Sequence, residues 1–167
     1  MVSSDLTWGN HVDYICLNAS KRLYFLCMLR RAGASCDQLL TFYKSTIWSC
    51  LEYACPIWHC GLTVEQADSI ESIQRRALRI AHPDLSYRES REALEVTGLD
   101  TLEARRERLT RSFFEKTMCP DHKLQHLLPE PRAVGYRLRR AKKFPLPVLR
   151  TQRAKKTLIN HGLYYWQ

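Results

Sequence analysis

The residues best suited to chemistry crowd into the stretch CLEYACPIWHCG, positions 50 to 61, which holds Cys50, Cys55, His59 and Cys60. Thiolates and an imidazole at short spacing are the raw material of a zinc site. Structural zinc, however, takes one close Cys pair and a second pair well downstream. Cys50 and Cys55 lie about 140° apart around a helix, at about 100° per residue, so they cannot reach one ion without unwinding it. Cys55-x3-His59-Cys60 has no second pair, and the next cysteine, Cys119, stands alone. The expectation is that Cys50 is a small buried hydrophobe on a core stripe and that no metal is held.

His11-Val12-Asp13 has the His-x-Asp spacing of a non-haem iron facial triad. That triad sits at the mouth of a β-barrel, and this chain has no strands with which to build one. In the first turns of a helix, Asp13 instead complements the macrodipole. There is no Gly-x-Ser-x-Gly elbow, no glycine-rich phosphate loop and no pair of adjacent acids. No catalytic residue and no cofactor are expected.

Charge is the stronger signal. The chain has 167 residues and a net charge of +9, and its charge is unevenly placed. Up to residue 130, 16 basic residues meet 17 acidic ones; beyond it there are ten basic residues and no acid. Arg137, Arg139, Arg140, Lys142, Lys143, Arg153, Lys155 and Lys156 are interleaved with Tyr136 and Phe144. Cations of this density neutralise phosphates and release counterions, while aromatic rings stack on bases. Weak, sequence-tolerant contact with an RNA or DNA backbone is the expected activity of this tail. Arg75, Arg76 and Arg79 form a second basic cluster. Its competing explanation is a solvated helix face, with Glu71 paired to Arg75 one turn away and cations matched to the helix C-terminus. Arg105, Arg106, Arg108 and Arg111 alternate with Glu103 and Glu107 and are expected to be solvated.

The elements that must position these groups read as helices. A helix from about Trp8 to Arg31 follows Thr7 as cap, stops at Gly33, and carries Val12, Ile15, Cys16, Ala19, Leu23, Leu26 and Cys27 on one face. Ser35-x-x-Gln38 opens a second helix with Leu40, Tyr43, Ile47, Cys50, Leu51 and Ala54 inward, ended or kinked by Pro56. Thr63-x-x-Gln66 opens a third, with Ala67, Ile70, Ile73, Ala77 and Ile80 inward. Ser86-x-x-Glu89 opens a fourth, stopped by Gly98. Asp100-x-x-Glu103 opens a fifth, carrying Leu102, Leu109 and Phe113. The fold class is all-α: a bundle of about five helices over residues 1–130, then an extended basic arm over 131–167 with a short terminal helix interrupted at Gly162.

A chain of this length buries roughly 70% of its unfolded surface and needs no staple. The longest run without a charged side chain is Tyr53 to Val64, against about 20 residues for a membrane helix, so no membrane partner is expected. Seven cysteines, most beside apolar residues, suit reduced thiols in a cytoplasmic or nuclear setting.

Several strings together resemble the thumb and carboxy-terminal region of LINE-type (jockey-like) retrotransposon reverse transcriptases. SSDLTWGNHVDYICLNASKRLYFLCMLRRAG is similar to the segment after the palm, and LLTFYKSTIWSCLEYACPIWHCGL to the family's Leu-Glu-Tyr and Pro-x-Trp pattern. IESIQRRALRI, LSYRESREALEVTGLDTLEARRERLTRSFFEK and YRLRRAKKFPLP resemble its later stretches. The resemblance implies a helical clamp on primer–template backbone. It implies no polymerase, because the Tyr/Phe-x-Asp-Asp box and its partner aspartate are absent from this sequence. Faces that would pack on the missing palm imply self-association. The first segment is also similar to a region at the amino terminus of an AlkB-type tRNA-modifying protein, which implies an AlkB-related dioxygenase or methyltransferase as one alternative; the other is a helical protein-interaction or pseudogene product with no activity.

Overall fold

The computed structural model describes residues 7–83, 90–131 and 143–167. All its regular elements among these residues are helical, as the capping boxes and apolar stripes predict. They fall into two compact units: Met1–Ala54 with Leu62–Arg106, and Cys55–Gly61 with Glu107–Gln167. The division expected at residue 130 therefore falls inside the second unit.

The first unit is built on α1 (Gly9–Arg31) and α5 (Val64–Ala81). They pack along their lengths in the same direction, with Gly9 near Gln66 at one end and Arg30 and Arg31 sharing a hollow with Ile80 at the other. α1 buries Val12, Ile15, Ala19, Leu23 and Leu26, five of the seven residues predicted to face inward. Its N-cap is Trp8, without a side-chain cap, and not Thr7. It ends in a Schellman motif. Gly33 takes a φ of +86°, its N–H donates to Arg30 O and that of Ala34 donates to Leu29 O.

Ser35 and Gln38 form the predicted capping box at α2 (Cys36–Phe42). The chain then passes through a π-helical stretch, Tyr43–Trp48, into α3 (Ser49–Glu52). This stretch corrects the predicted stripe. Leu39, Tyr43, Ile47 and Leu51, each four after the last, form the buried stripe with Trp48 beside it, and Leu40 is only half-buried. Four residues overshoot a turn of regular α-helix by about 40°, so repeated steps of four drift off the core face. A wider π turn absorbs the drift and keeps the four side chains in line. The helix stops before Pro56, at Tyr53 and Ala54, the latter with a φ of +54°. Pro56 then sits in the first turn of α4 (Cys55–Trp58), where its missing N–H costs nothing.

Thr63 and Gln66 cap α5 reciprocally, as predicted. α5 buries Ile70, Ile73, Ala77, Leu78 and Ala81 together with the polar Gln74, while Ile80 is half-buried. α6 (Ser90–Thr97) closes on Gly98, whose φ of +60° places the N–H of Leu99 on Leu94 O. The capping box expected at Ser86 and Glu89 lies outside the described residues. α7 (Leu102–Thr117) begins at Thr101, whose hydroxyl accepts from the N–H of Ala104; the acidic cap expected at Asp100 is not the one used. Its buried stripe is Leu102, Arg106, Thr110, Phe114 and Thr117, not the predicted Leu102, Leu109 and Phe113.

In the second unit, Phe114, Phe144 and Leu163 form the core, packed by Met118, Leu128, Leu146, Leu158, Ile159 and Trp166. The last two helices are α8 (Gln152–Lys155) and α9 (Leu158–Tyr165). Residues 143–167 are thus not an extended arm: their apolar positions are built into a core. α9 runs through Gly162 without interruption, because the glycine serves packing and not chain reversal. A Cβ at this position would fall into the Phe114 ring. Gly162→Ala gains about 1 kcal/mol of helix propensity but overpacks this contact. A net loss of about 1–2 kcal/mol is expected in chemical denaturation, with partial recovery in the Gly162→Ala, Phe114→Leu double variant.

Candidate functional site

The cysteine-rich stretch is divided between the two units. Cys50 belongs to the first, half-buried, with its Sγ 4.0 Å from Ile15 O. Cys55 and Cys60 belong to the second. Burial pushes the Cys60 thiol up to about 12, and Cys16, on α1, up to about 11. His59 Nε2 lies 3.0 Å from Glu107 Oε2, and the other oxygen of Glu107 accepts the Trp166 Nε1–H at 3.1 Å. The imidazole therefore has a carboxylate partner and no ring of thiolates around it. Among the described residues no group of three His, Cys, Asp or Glu is placed to hold a metal ion. His11 is half-buried, edge-on to Trp8, and burial lowers its pKa, whereas Asp13 is exposed.

The basic residues separate more sharply than their spacing predicts. Arg75, Arg76 and Arg79 are all exposed along the C-terminal half of α5. Glu71, the expected partner of Arg75, is turned elsewhere. Its carboxylate accepts the backbone N–H groups of Leu102 at 3.3 Å and Glu103 at 2.6 Å, so it caps α7 from outside. It also lies 3.7 Å from the guanidinium of the fully buried Arg106. Burial pushes the Glu71 carboxyl above the ordinary range, while the two amides and Arg106 pull it back. Next to it Gln74 donates to Asp100 O at 2.9 Å and accepts from the Tyr43 hydroxyl at 3.1 Å.

Two of the four arginines expected to be solvated on α7 are structural. Arg106 is inside, one turn after Leu102 on the same stripe. Arg105 pairs with Glu52 and lies with its guanidinium 4.1 Å from the centre of the Trp48 ring. Arg108 and Arg111 are exposed, Arg111 pairing with Glu115 along the helix. Spacing pairs Glu71 with Arg75 and puts Arg106 in solvent, yet a signal for burial is present: Gln74 and Arg106 each stand four residues after an inward apolar residue, Ile70 and Leu102.

In the second unit Lys143, Arg153, Lys155 and Lys156 are exposed, the last three in and just after α8, which Thr151 caps. Lys143 Nζ stands 5.4 Å from the Phe144 ring. That ring, expected to be free for stacking on bases, is 3% exposed in the core and cannot take that part. Arg137, Arg139, Arg140, Lys142 and Tyr136 lie outside the described residues.

One family model, described as "Alkylated DNA repair protein alkB homolog 8, N-terminal", matches residues 8–49. The match runs from the N-cap of α1 through α2 and the π-helical stretch, and it contains neither basic cluster. No curated protein matches the chain. No solved structure matches it either.

Removing Glu71 leaves Arg106 buried beside two uncapped amides. Glu71→Ala should cost about 3–5 kcal/mol of unfolding free energy, Glu71→Gln less, and the exposed Glu65→Ala about zero. The thiols divide in the same way by environment. At neutral pH a thiol reagent should label exposed Cys36 and Cys119 quickly, with Cys16 and Cys60 reacting only on unfolding.

Proposed function

We propose that this chain is a non-catalytic helical module that binds nucleic acid through phosphate contacts, a relative of the thumb region of LINE-type reverse transcriptases. The observation that carries the binding reading is the Arg75, Arg76 and Arg79 face. The acid one turn before Arg75 is engaged at the start of α7, and neither Arg75 nor Arg76 has an ion-pair partner among the described residues. The thumb reading rests on the sequence resemblance. A cytoplasmic or nuclear setting goes with it, supported by seven free cysteines.

Contacts of this kind read charge, not sequence, so affinity should fall steeply between about 50 and 200 mM salt and vary little among single-stranded RNA or DNA probes. Changing Arg75, Arg76 and Arg79 together to Gln should reduce the slope of log K against log salt by about 2–3. Deleting residues 131–167 is a poor test of the second cluster, because it removes Phe144 and Leu163 from a core. Changing Lys143, Arg153, Lys155 and Lys156 to Gln leaves that core intact and should reduce the slope by a further ~3. Binding that ignores salt, or is absent at low salt, would overturn the reading.

The match over residues 8–49 favours a second reading, in which the chain belongs with AlkB-type RNA- or DNA-modifying proteins. Iron- and 2-oxoglutarate-dependent turnover of a methylated oligonucleotide would put it in place of the first.

A further inference from the structure

α1 is apolar on two sides. One side buries Val12, Ile15, Ala19, Leu23 and Leu26 against its neighbours. The other presents Tyr14, Leu17, Tyr24, Phe25, Met28 and Leu29 to solvent, between 37 and 61% exposed. Tyr14, Leu17, Lys21, Tyr24 and Met28 recur at alternating spacings of three and four. That is the a/d pattern of a coiled-coil seam, interrupted by one lysine. The six large side chains leave on the order of 500–600 Å² of apolar surface in water, at the upper end of what a monomer shows. A standard interface buries roughly 800 Å² on each partner, which this stripe and its polar margins approach.

The charges along α1 favour one occupant. Its sole acid, Asp13, lies near its N-terminus, and Arg30 and Arg31 lie at its C-terminus, all three exposed. We infer that this face pairs antiparallel with the same face of a second copy of the chain. In the register that matches a to d positions, Leu17 meets Met28 of the second copy. Lys21 lies over Tyr24 of the second copy, a cation–π arrangement. Asp13 comes within one residue of Arg31 of the second copy, and the two-fold axis makes each of these contacts twice. Opposed helix dipoles are favourable in the same arrangement. A hollow of about 640 Å³, with Leu29, Ala34, Asp37, Thr41 and Phe42 in its walls, lies beside the C-terminal end of α1. The inference is independent of the nucleic-acid reading.

The test is sedimentation equilibrium of the full chain across micromolar concentrations, with circular dichroism to confirm that each variant folds. The wild-type chain should be a reversible dimer and Leu17→Glu a folded monomer. Asp13→Arg and Arg31→Glu should each weaken association by about tenfold, and the double variant should restore it. Four results would overturn the inference: a wild-type monomer throughout, a dimer indifferent to Leu17→Glu, charge reversals without rescue, or a monomer whose α1 face instead binds phosphatidylserine vesicles. The monomeric Leu17→Glu variant keeps both basic clusters, so its salt-dependent binding to RNA reports on the nucleic-acid reading separately.

Discussion

The carboxylate of Glu71 at the start of α7 is the interaction on which the first unit turns. A helix N-terminus leaves backbone N–H groups without partners, and burying them unsatisfied is costly. α7 satisfies two of them with a side chain from α5, a helix some thirty residues earlier, and supplements this with its own Thr101 hydroxyl. One turn further on, Arg106 brings a buried positive charge to the same carboxylate. Charges in this environment stabilise little by themselves, but removing Glu71 takes an acid away from a fully buried guanidinium. The contact therefore works as a register lock. It admits one placement of the α7 N-terminus against α5, and Gln74 reinforces it by joining Asp100 O to the Tyr43 hydroxyl.

That lock has a consequence at the surface. Glu71 and Arg75 are one turn apart and would ordinarily pair across the outside of α5. Because the carboxylate is drawn inward to meet the α7 amides, Arg75 loses the acid one turn before it on α5. A fold-stabilising contact and the exposed charge of Arg75 thus have one origin. Arg105 shows the opposite outcome: engaged by Glu52 and the Trp48 ring, it has become part of the structure. Neighbouring arginines in one charged run divide into scaffold and candidate contact according to which acids the fold brings near them.

The second unit makes a similar point with apolar groups. Its last residues look like a solvated basic tail because lysine and arginine dominate their composition. Yet Phe144, Leu146, Leu158, Ile159 and Leu163 pack around Phe114, and Gly162 lets the aromatic ring lie against the α9 backbone. Charged side chains on α8 remain outside while apolar residues before and after it fold in. Basic character and order are compatible here because the charges need only the surface.

Much of the fold was legible in the sequence. The reciprocal boxes at Ser35 and Thr63, the glycine stops at Gly33 and Gly98 and the inward face of α1 are local features, set by side chains within a turn or two of the backbone they satisfy. Charge asymmetry and the isolation of Cys119 are likewise matters of composition and spacing. Tertiary structure decided the rest: the π turn that moved Leu39 inward in place of Leu40, the burial of Arg106, the inward turn of Glu71 and the role of Gly162. Each depends on a partner thirty to fifty residues away or on a drift accumulated over several turns. The sequence specifies which groups must find a partner, but only the folded chain determines which partner comes within reach.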